Sequence, residues 1–156
     1  MSEMMCLAIK QPWAWAIFNA GKNIENRDWP TRFRGRIAIL ASKGMTQGEY
    51  AEGCYFIERK EPGIVIPSYE SMIRGNIIGT VEITDCGKFH NNKWFVGTYG
   101  MLLSNPVKFI TPISARGRLG IFPLEASIAD QVEEERQRVL QAVHEVDAAL
   151  KRAVSN

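Results

Sequence analysis

The chain reads as an α+β fold: a small β-barrel flanked by helices, with a long C-terminal amphipathic helix. Three features predict this. Helical patterns come early and strand patterns bunch late, which is not the βαβ rhythm of a parallel sheet. The strands are short and irregular, with Gly and Pro at their joints, the punctuation of a small barrel. Beyond Glu125 apolar residues recur every three or four positions, the period of a helix with one buried stripe.

Taken in order, Met4–Ile9 is a short apolar run and the first predicted strand. Lys10-Gln11-Pro12 breaks it, and Pro12 suits the first position of a helix, where its missing N–H costs nothing. Trp13, Ala16, Ile17 and Ala20 recur at i, i+3, i+4 and i+7, one stripe of a short helix. Gly21 closes that helix in a left-handed conformation. Residues 22–29 read as extended chain and Ile37–Ala41 as a buried strand. Thr46-Gln47-Gly48-Glu49 has the form of a capping box and starts a helix towards Arg59. Glu61–Tyr69 holds two prolines and a glycine and reads as a mobile loop, a rim or lid over a site. Ser68–Arg74 reads as one or two helical turns ended by Gly75.

From Asn76 to Cys86 the residues alternate as a long strand, with Glu82 in the middle of its more polar face. Trp94–Tyr99, Met101–Ser104, Val107–Ile110 and Gly120–Leu124 are the further predicted strands, with Asn105-Pro106, Thr111-Pro112 and Arg116–Gly120 between them. Gly97 and Gly100 around Tyr99 mark a bulge or a close backbone approach. Ser127 opens the last helix, which runs to about Val154 with Ile128, Val132, Val139, Val143, Val146, Leu150 and Ala153 on one stripe. This gives a folded unit over 1–125 and a helical extension over 126–156. The extension packs across the barrel or pairs with its copy in a homodimer, and its valine- and alanine-rich stripe favours packing on its own domain.

With 156 residues, 46% hydrophobic and 23% charged, the composition is that of one ordinary globular domain. Cys6, Cys54 and Cys86 are widely spaced, and His90 and His144 are the only histidines; no metal site is expected. Reduced thiols are the simplest account of the cysteines. No apolar run approaches the ~20 residues of a membrane span, and MSEMMCLAIK lacks the form of a signal peptide. The expected compartment is the cytoplasm, and no cofactor is expected.

The net charge is only +2, yet Gly21–Lys43 carries Lys22, Arg27, Arg32, Arg34, Arg36 and Lys43 against Glu25 and Asp28 alone. Trp29 and Phe33 lie among these cations. Cations interleaved with rings suit a ligand with phosphates and flat bases; a basic surface strand with Trp29 as core is the plainer reading. Glu25, Arg27 and Trp29 share one face by the period of two, and the turn at Gly21 re-aims Lys22 towards them. The Lys22–Glu25–Arg27 trio is a catalytic or ligand-clamping constellation, or an ion pair that fixes the turn.

Several of these stretches together resemble the ASCH (activating-signal-cointegrator homology) family. LAIKQPWAWAI resembles its opening L-S-I-x-Q-P-W-A. Residues 21–27, GKNIENR, resemble its signature G-x-K-x-x-E-x-R, with Ala20 where the signature has its glycine. Trp29-Pro30 through Arg34-Gly35 resembles the W-P-x-x-x-R-G of the cointegrator-like branch. Tyr99-Gly100 through Asn105-Pro106, and Pro112-Ile113 through Gly117, Gly120 and Phe122, resemble the closing strands. The similarity spans about residues 5–125. It implies a PUA-like β-barrel with a cleft walled by the signature strand, and an RNA- or nucleic-acid-binding function. On that pattern Lys22, Arg27, Trp29, Arg32, Arg34 and Lys43 are the expected nucleic-acid contacts. One branch of the family consists of amidohydrolases that deacetylate N4-acetylcytidine, and other members are described as ribonucleases. The amidohydrolases match Lys22, use a threonine where this chain has Glu25, and carry a later strand glutamate corresponding to Glu82. Lys22, Glu25 and Glu82 are thus the catalytic candidates if the chain is an enzyme. A glutamate is no hydroxyl nucleophile; its available role is general base on a water.

Three readings follow. The first is a module that binds RNA or single-stranded nucleic acid. The second is a hydrolase of a modified nucleoside or of RNA. The third is a protein-interaction domain acting through the C-terminal helix.

Overall fold

The computed structural model describes residues 3–155. In chain order the elements are β1 (Met5–Ile9), α1 (Trp13–Asn19), β2 (Ile24–Arg27), β3 (Gly35–Ala41) and α2 (Gln47–Lys60). A 3₁₀ turn (Tyr69–Ser71), β4 (Asn76–Gly87), β5 (Tyr99–Ser114), β6 (Ile121–Pro123) and α3 (Ala126–Ser155) follow. The strands form one sheet in the order β2-β5-β4-β3-β1-β6, curled into a half-barrel. β1 and β3 run parallel, and the other four neighbouring pairs are antiparallel. No helix among the described residues is long and apolar enough to cross a membrane.

Both faces of this sheet are covered at its centre. Ile37 and Ile39 of β3 pack with Leu7, Ile9, Val81 and Met101 and with Ile17 of α1. Ala38 and Leu40, pointing the other way, pack with Phe109, Phe122 and Val132 of α3. A strand buried on both faces has no reason to alternate, which is why β3 is the unbroken apolar run IAILA. A third cluster joins α1, α2 and the segment before β5, with Ala16, Ile24, Ile57 and Trp94 at its centre.

The local chemistry of the early helices follows the sequence closely. Thr46 accepts from the Glu49 N–H at 3.0 Å, and the Glu49 side chain accepts from the Thr46 N–H at 2.9 Å, so the capping box at α2 is complete. Gly21 has φ +72°, as the end of α1 requires. Pro12 sits one position before the first helical residue. The start of α1 is held instead by Gln11, whose side-chain carbonyl accepts the Trp15 N–H at 2.8 Å while its amide donates to the Ile73 carbonyl at 2.8 Å.

The later strands depart from expectation at two places, for identifiable reasons. Residues 94–98 are not a strand. Their backbone groups are taken by asparagine side chains: Asn92 Oδ1 accepts the Trp94 N–H, Asn26 Nδ2 donates to the Trp94 carbonyl, and Asn26 Oδ1 accepts the Val96 N–H. Met101–Ser104 and Val107–Ile110 are not separate strands but parts of one 16-residue strand, β5. It runs through Asn105 at φ 50° and takes up its bends in register shifts against β4. The expected turns over Ser68–Arg74 reduce to the 3₁₀ turn.

One of those register shifts creates the anchor for α3. Between the Ile77↔Ile113 and Gly79↔Lys108 pairs, β5 carries extra residues whose N–H groups have no strand partner. Glu135, only 2% exposed, takes two of them: its Oε2 accepts the Ile110 and Thr111 N–H groups, each at 2.8 Å, and its Oε1 faces Arg138. Past Val139 the helix leaves the sheet, and Val143, Val146, Leu150 and Val154 are exposed.

Removing this carboxylate strands two buried donors. Glu135→Ala is therefore expected to cost roughly 3 kcal/mol in denaturant unfolding. Arg138→Ala, whose side chain is 61% exposed, should cost less than about 1 kcal/mol. Equal losses in the two variants would overturn this account of the anchor.

Candidate functional site

The Lys22–Glu25–Arg27 trio is assembled by the turn at Gly21 and by the edge strand β2, which pairs only with β5. Lys22 is 3% exposed and Glu25 6%. The Lys22 ammonium donates to the Ile24 carbonyl and, at 3.3 Å, to Glu25 Oε1. Glu25 Oε2 lies 3.0 Å from both Nε and Nη2 of Arg27. Arg27 Nη2 also donates to the Ala8 carbonyl of β1 at 2.8 Å. Each cation rests against an indole: Lys22 lies 5.8 Å from the Trp13 ring and Arg27 5.8 Å from the Trp29 ring. Burial pulls the Lys22 pKa below its ordinary value, with Arg27 adding to the effect and Glu25 opposing it.

Beside the trio lies a cleft of about 850 Å³, a size that suits a small-molecule or nucleotide guest. Trp13, Glu25, Arg27 and Ala8 form part of its wall, and residues 96–98 and 117–120 form its rim. Asn26 holds the first rim segment in place through its bonds to Trp94 and Val96. At one end a side hollow of about 360 Å³ reaches Lys22 past Trp13 and Phe56. At the other a hollow of about 520 Å³ carries Lys43 and Arg116. The cleft shares Trp13, Glu25, Asn26 and Val96 with the first and Ser42 and Gly117 with the second. The three make one track.

The expected site residues distribute unevenly over this surface. Lys22, Glu25 and Arg27 come together at the cleft, and Lys43 reaches the far hollow. Trp29 backs Arg27 but packs with Phe33 against the α1-side core. Arg32 is exposed, and Arg34 turns back on its own loop, donating to the Thr31 and Phe33 carbonyls and lying 3.7 Å from Asp85. Glu82 accepts from Asn105 Nδ2 at 2.9 Å and is not in the lining of any of the three hollows. Nor is the Glu61–Tyr69 loop, expected as a rim: Ile64 and Ile66 pack into the third core cluster. Lys10, Arg116 and Arg118, which line the track, were not expected there as ligand contacts. For Arg116 and Arg118 the available signal was two arginines around Gly117 in a loop, otherwise legible only as a turn.

A curled half-barrel whose signature strand carries this trio defines the class of protein. The ASCH domain model matches residues 7–100, and the chain belongs to that family. It is 28% identical over 81 residues to human activating signal cointegrator 1. That match covers 52% of this chain and 14% of the human protein, so the chain corresponds to a small part of that relative. Among solved structures, ASCH from Zymomonas mobilis aligns with a TM-score of 0.51 at 12% identity, covering 85% of this chain and 94% of that one. A variant of the same bacterial protein gives 0.50 at 13%, covering 85% and 95%. At such identity the likeness is one of fold.

Burial of Lys22 has a measurable consequence. Its folded-state pKa lies below the ordinary 10.5, so between the two values the unfolded chain holds the extra proton and this residue's contribution to stability rises with pH. The unfolding free energy of the wild type should therefore gain on that of Lys22→Met as pH is raised from about 7 towards 10. A difference that stays flat, or falls, would contradict the burial seen here.

Proposed function

We propose that the chain binds RNA or another single-stranded nucleic acid in the cleft, with a base against Trp13 and the sugar–phosphate backbone along the cations of the track. The observation that carries this is a nucleotide-sized cleft with an indole and the guanidinium of Arg27 on its wall and Arg118 on its rim. Bases stack on rings and guanidinium planes whatever their identity, and cations hold the backbone. Membership of the ASCH family supports the same reading, since that family is regarded as nucleic-acid-binding. Arg27 is the inner cation, tied to Glu25 and Ala8; Lys10 and Arg118 lie further out on the lining.

A second reading, hydrolysis of a modified nucleoside, has one observation in its favour. Lys22 is a buried amine of lowered pKa that opens onto a side hollow, a place suited to stabilising an oxyanion. Against it, both Glu25 oxygens are already engaged and Glu82 stands elsewhere, which leaves Glu52 as the one other carboxylate on this hollow. Wild-type protein that leaves N4-acetylcytidine and a short RNA intact, as Lys22→Ala does, would end this reading.

The binding reading is tested by anisotropy with single-stranded RNA over a salt series. Arg118→Ala should weaken binding several-fold and lower the slope of log K against log salt by about 0.7, one phosphate's share. Arg34→Ala should change either quantity less, because its guanidinium is spent on its own loop. If Arg34→Ala proves the more damaging, the cleft is not where the strand lies.

A further inference from the structure

We propose that the hollow between Lys43 and Arg116 is a second subsite, holding the phosphodiester that links the nucleotide in the cleft to its neighbour. This rests on the cleft reading above. It makes the ligand a strand of at least two nucleotides rather than a single nucleotide.

The two hollows meet at Gly117. A Cβ there would lie 3.1 Å from Leu40 Cδ2 and 3.6 Å from Ala8 Cβ, so the loop is pressed against the sheet at that point. The two arginines on either side of it serve different hollows, Arg118 the cleft and Arg116 the second. Lys43 approaches from the opposite bank and is held in place. Its carbonyl accepts from Arg74 Nη1 at 2.9 Å. Its stem lies across Gly75, where a Cβ would come within 3.1 Å of Lys43 Cγ and 3.3 Å of Cε. Gly75 also has φ +70°, so a side chain at that position would both strain the turn and push the lysine aside.

Of the six cations in the basic stretch, all but Arg32 and Lys43 are already paired among the described residues. Lys22, Arg27, Arg34 and Arg36 each lie within ion-pair distance of a carboxylate. Among the described residues, Lys43, Arg74, Arg116 and Arg118 pair with none. No acid lines the second hollow, and Ser42 and Ser114 add hydroxyls to it. Unpaired cations beside hydroxyl donors are the chemistry that takes a phosphate. Stacking of a base on the indole in the wall of the adjoining cleft requires that base to be unpaired, hence a single strand.

The test uses the full chain and two probes, a nucleoside monophosphate and a labelled single-stranded RNA octamer of mixed sequence. The double variant Lys43→Ala/Arg116→Ala should bind the octamer on the order of tenfold more weakly, with the salt slope lowered by about 1.4 for two cations. Its affinity for the monophosphate should stay within about twofold. The control Arg59→Ala/Arg152→Ala removes equal charge elsewhere and should leave octamer binding within about twofold. Unchanged octamer binding in the first variant, with monophosphate binding intact, would remove the subsite and leave the cleft. An equal loss in the control would reduce the effect to net charge and overturn the proposal. Wild-type protein that binds neither probe would remove both the cleft reading and the subsite.

Discussion

The hydrogen bond from Arg27 to the Ala8 carbonyl is the contact on which the geometry of the site depends. In the strand order, β2 and β1 are separated by β5, β4 and β3, and only a strong curl brings them within reach. Arg27 spans that seam, and it is aimed by Glu25, which is aimed in turn by Lys22. Taking Lys22 and Glu25 out of water costs several kcal/mol apiece, and their attraction offsets this only where the remaining donors and acceptors are also used. Here they are: one carboxylate oxygen faces Lys22, the other faces Arg27, and Lys22 also has the Ile24 carbonyl. Removing Glu25 would leave two uncompensated cations under the cleft wall. The K-x-x-E-x-R spacing thus ties the seam of the half-barrel and leaves one net positive charge beside the cleft.

This separates the site into two layers. The inner layer is fixed and already satisfied: its cations are paired and its carboxylate is engaged. The outer layer stands on loops held by backbone and glycine contacts, with Arg116, Arg118 and Lys43 unpaired. A ligand that arrives at the outer layer meets charges that cost little to redirect, while the inner layer supplies the wall. Ion pairs already made inside the protein must be broken before they serve a ligand, whereas unpaired exposed cations need only shed counterions.

What was legible in the sequence was what depends on neighbours along the chain. The Thr46–Glu49 capping box, the apolar run of β3, the stripe of α3 and the grouping of Lys22, Glu25 and Arg27 all arise from short-range spacing. What was hidden depends on partners far away. Residues 94–98 have a strand-like composition, but Asn26, some 70 positions earlier, supplies the hydrogen bonds a neighbouring strand would have given. The 16-residue β5 looked like separate strands because Asn105-Pro106 is ordinary turn chemistry; here it bends a strand without ending it. The basic stretch is divided in a similar way. Its charges are close in sequence, yet Asp85 and Glu133, which lie near Arg34 and Arg36, come from other elements. Lys43, Arg116 and Arg118 come from two loops that no window along the chain would place together.

The last helix shows why a continuous stripe need not mean continuous burial. Its 30 residues amount to about 45 Å at 1.5 Å per residue. A body of the 125 or so residues before it is only about 35 Å across for a compact chain. A helix fixed near its start must therefore overrun the surface it lies on. The fixing point is early: Val132 and Glu135 are buried, Val139 is 8% exposed, and Val143 is already 57% exposed. The same valine-and-leucine spacing continues past the edge of the sheet on exposed positions, because the helical period fixes which positions share a face and not whether that face is covered. Burial is set by where the partner surface ends, and in this chain that end comes just past Val139, one turn beyond the bulge in β5 where Glu135 collects two N–H groups.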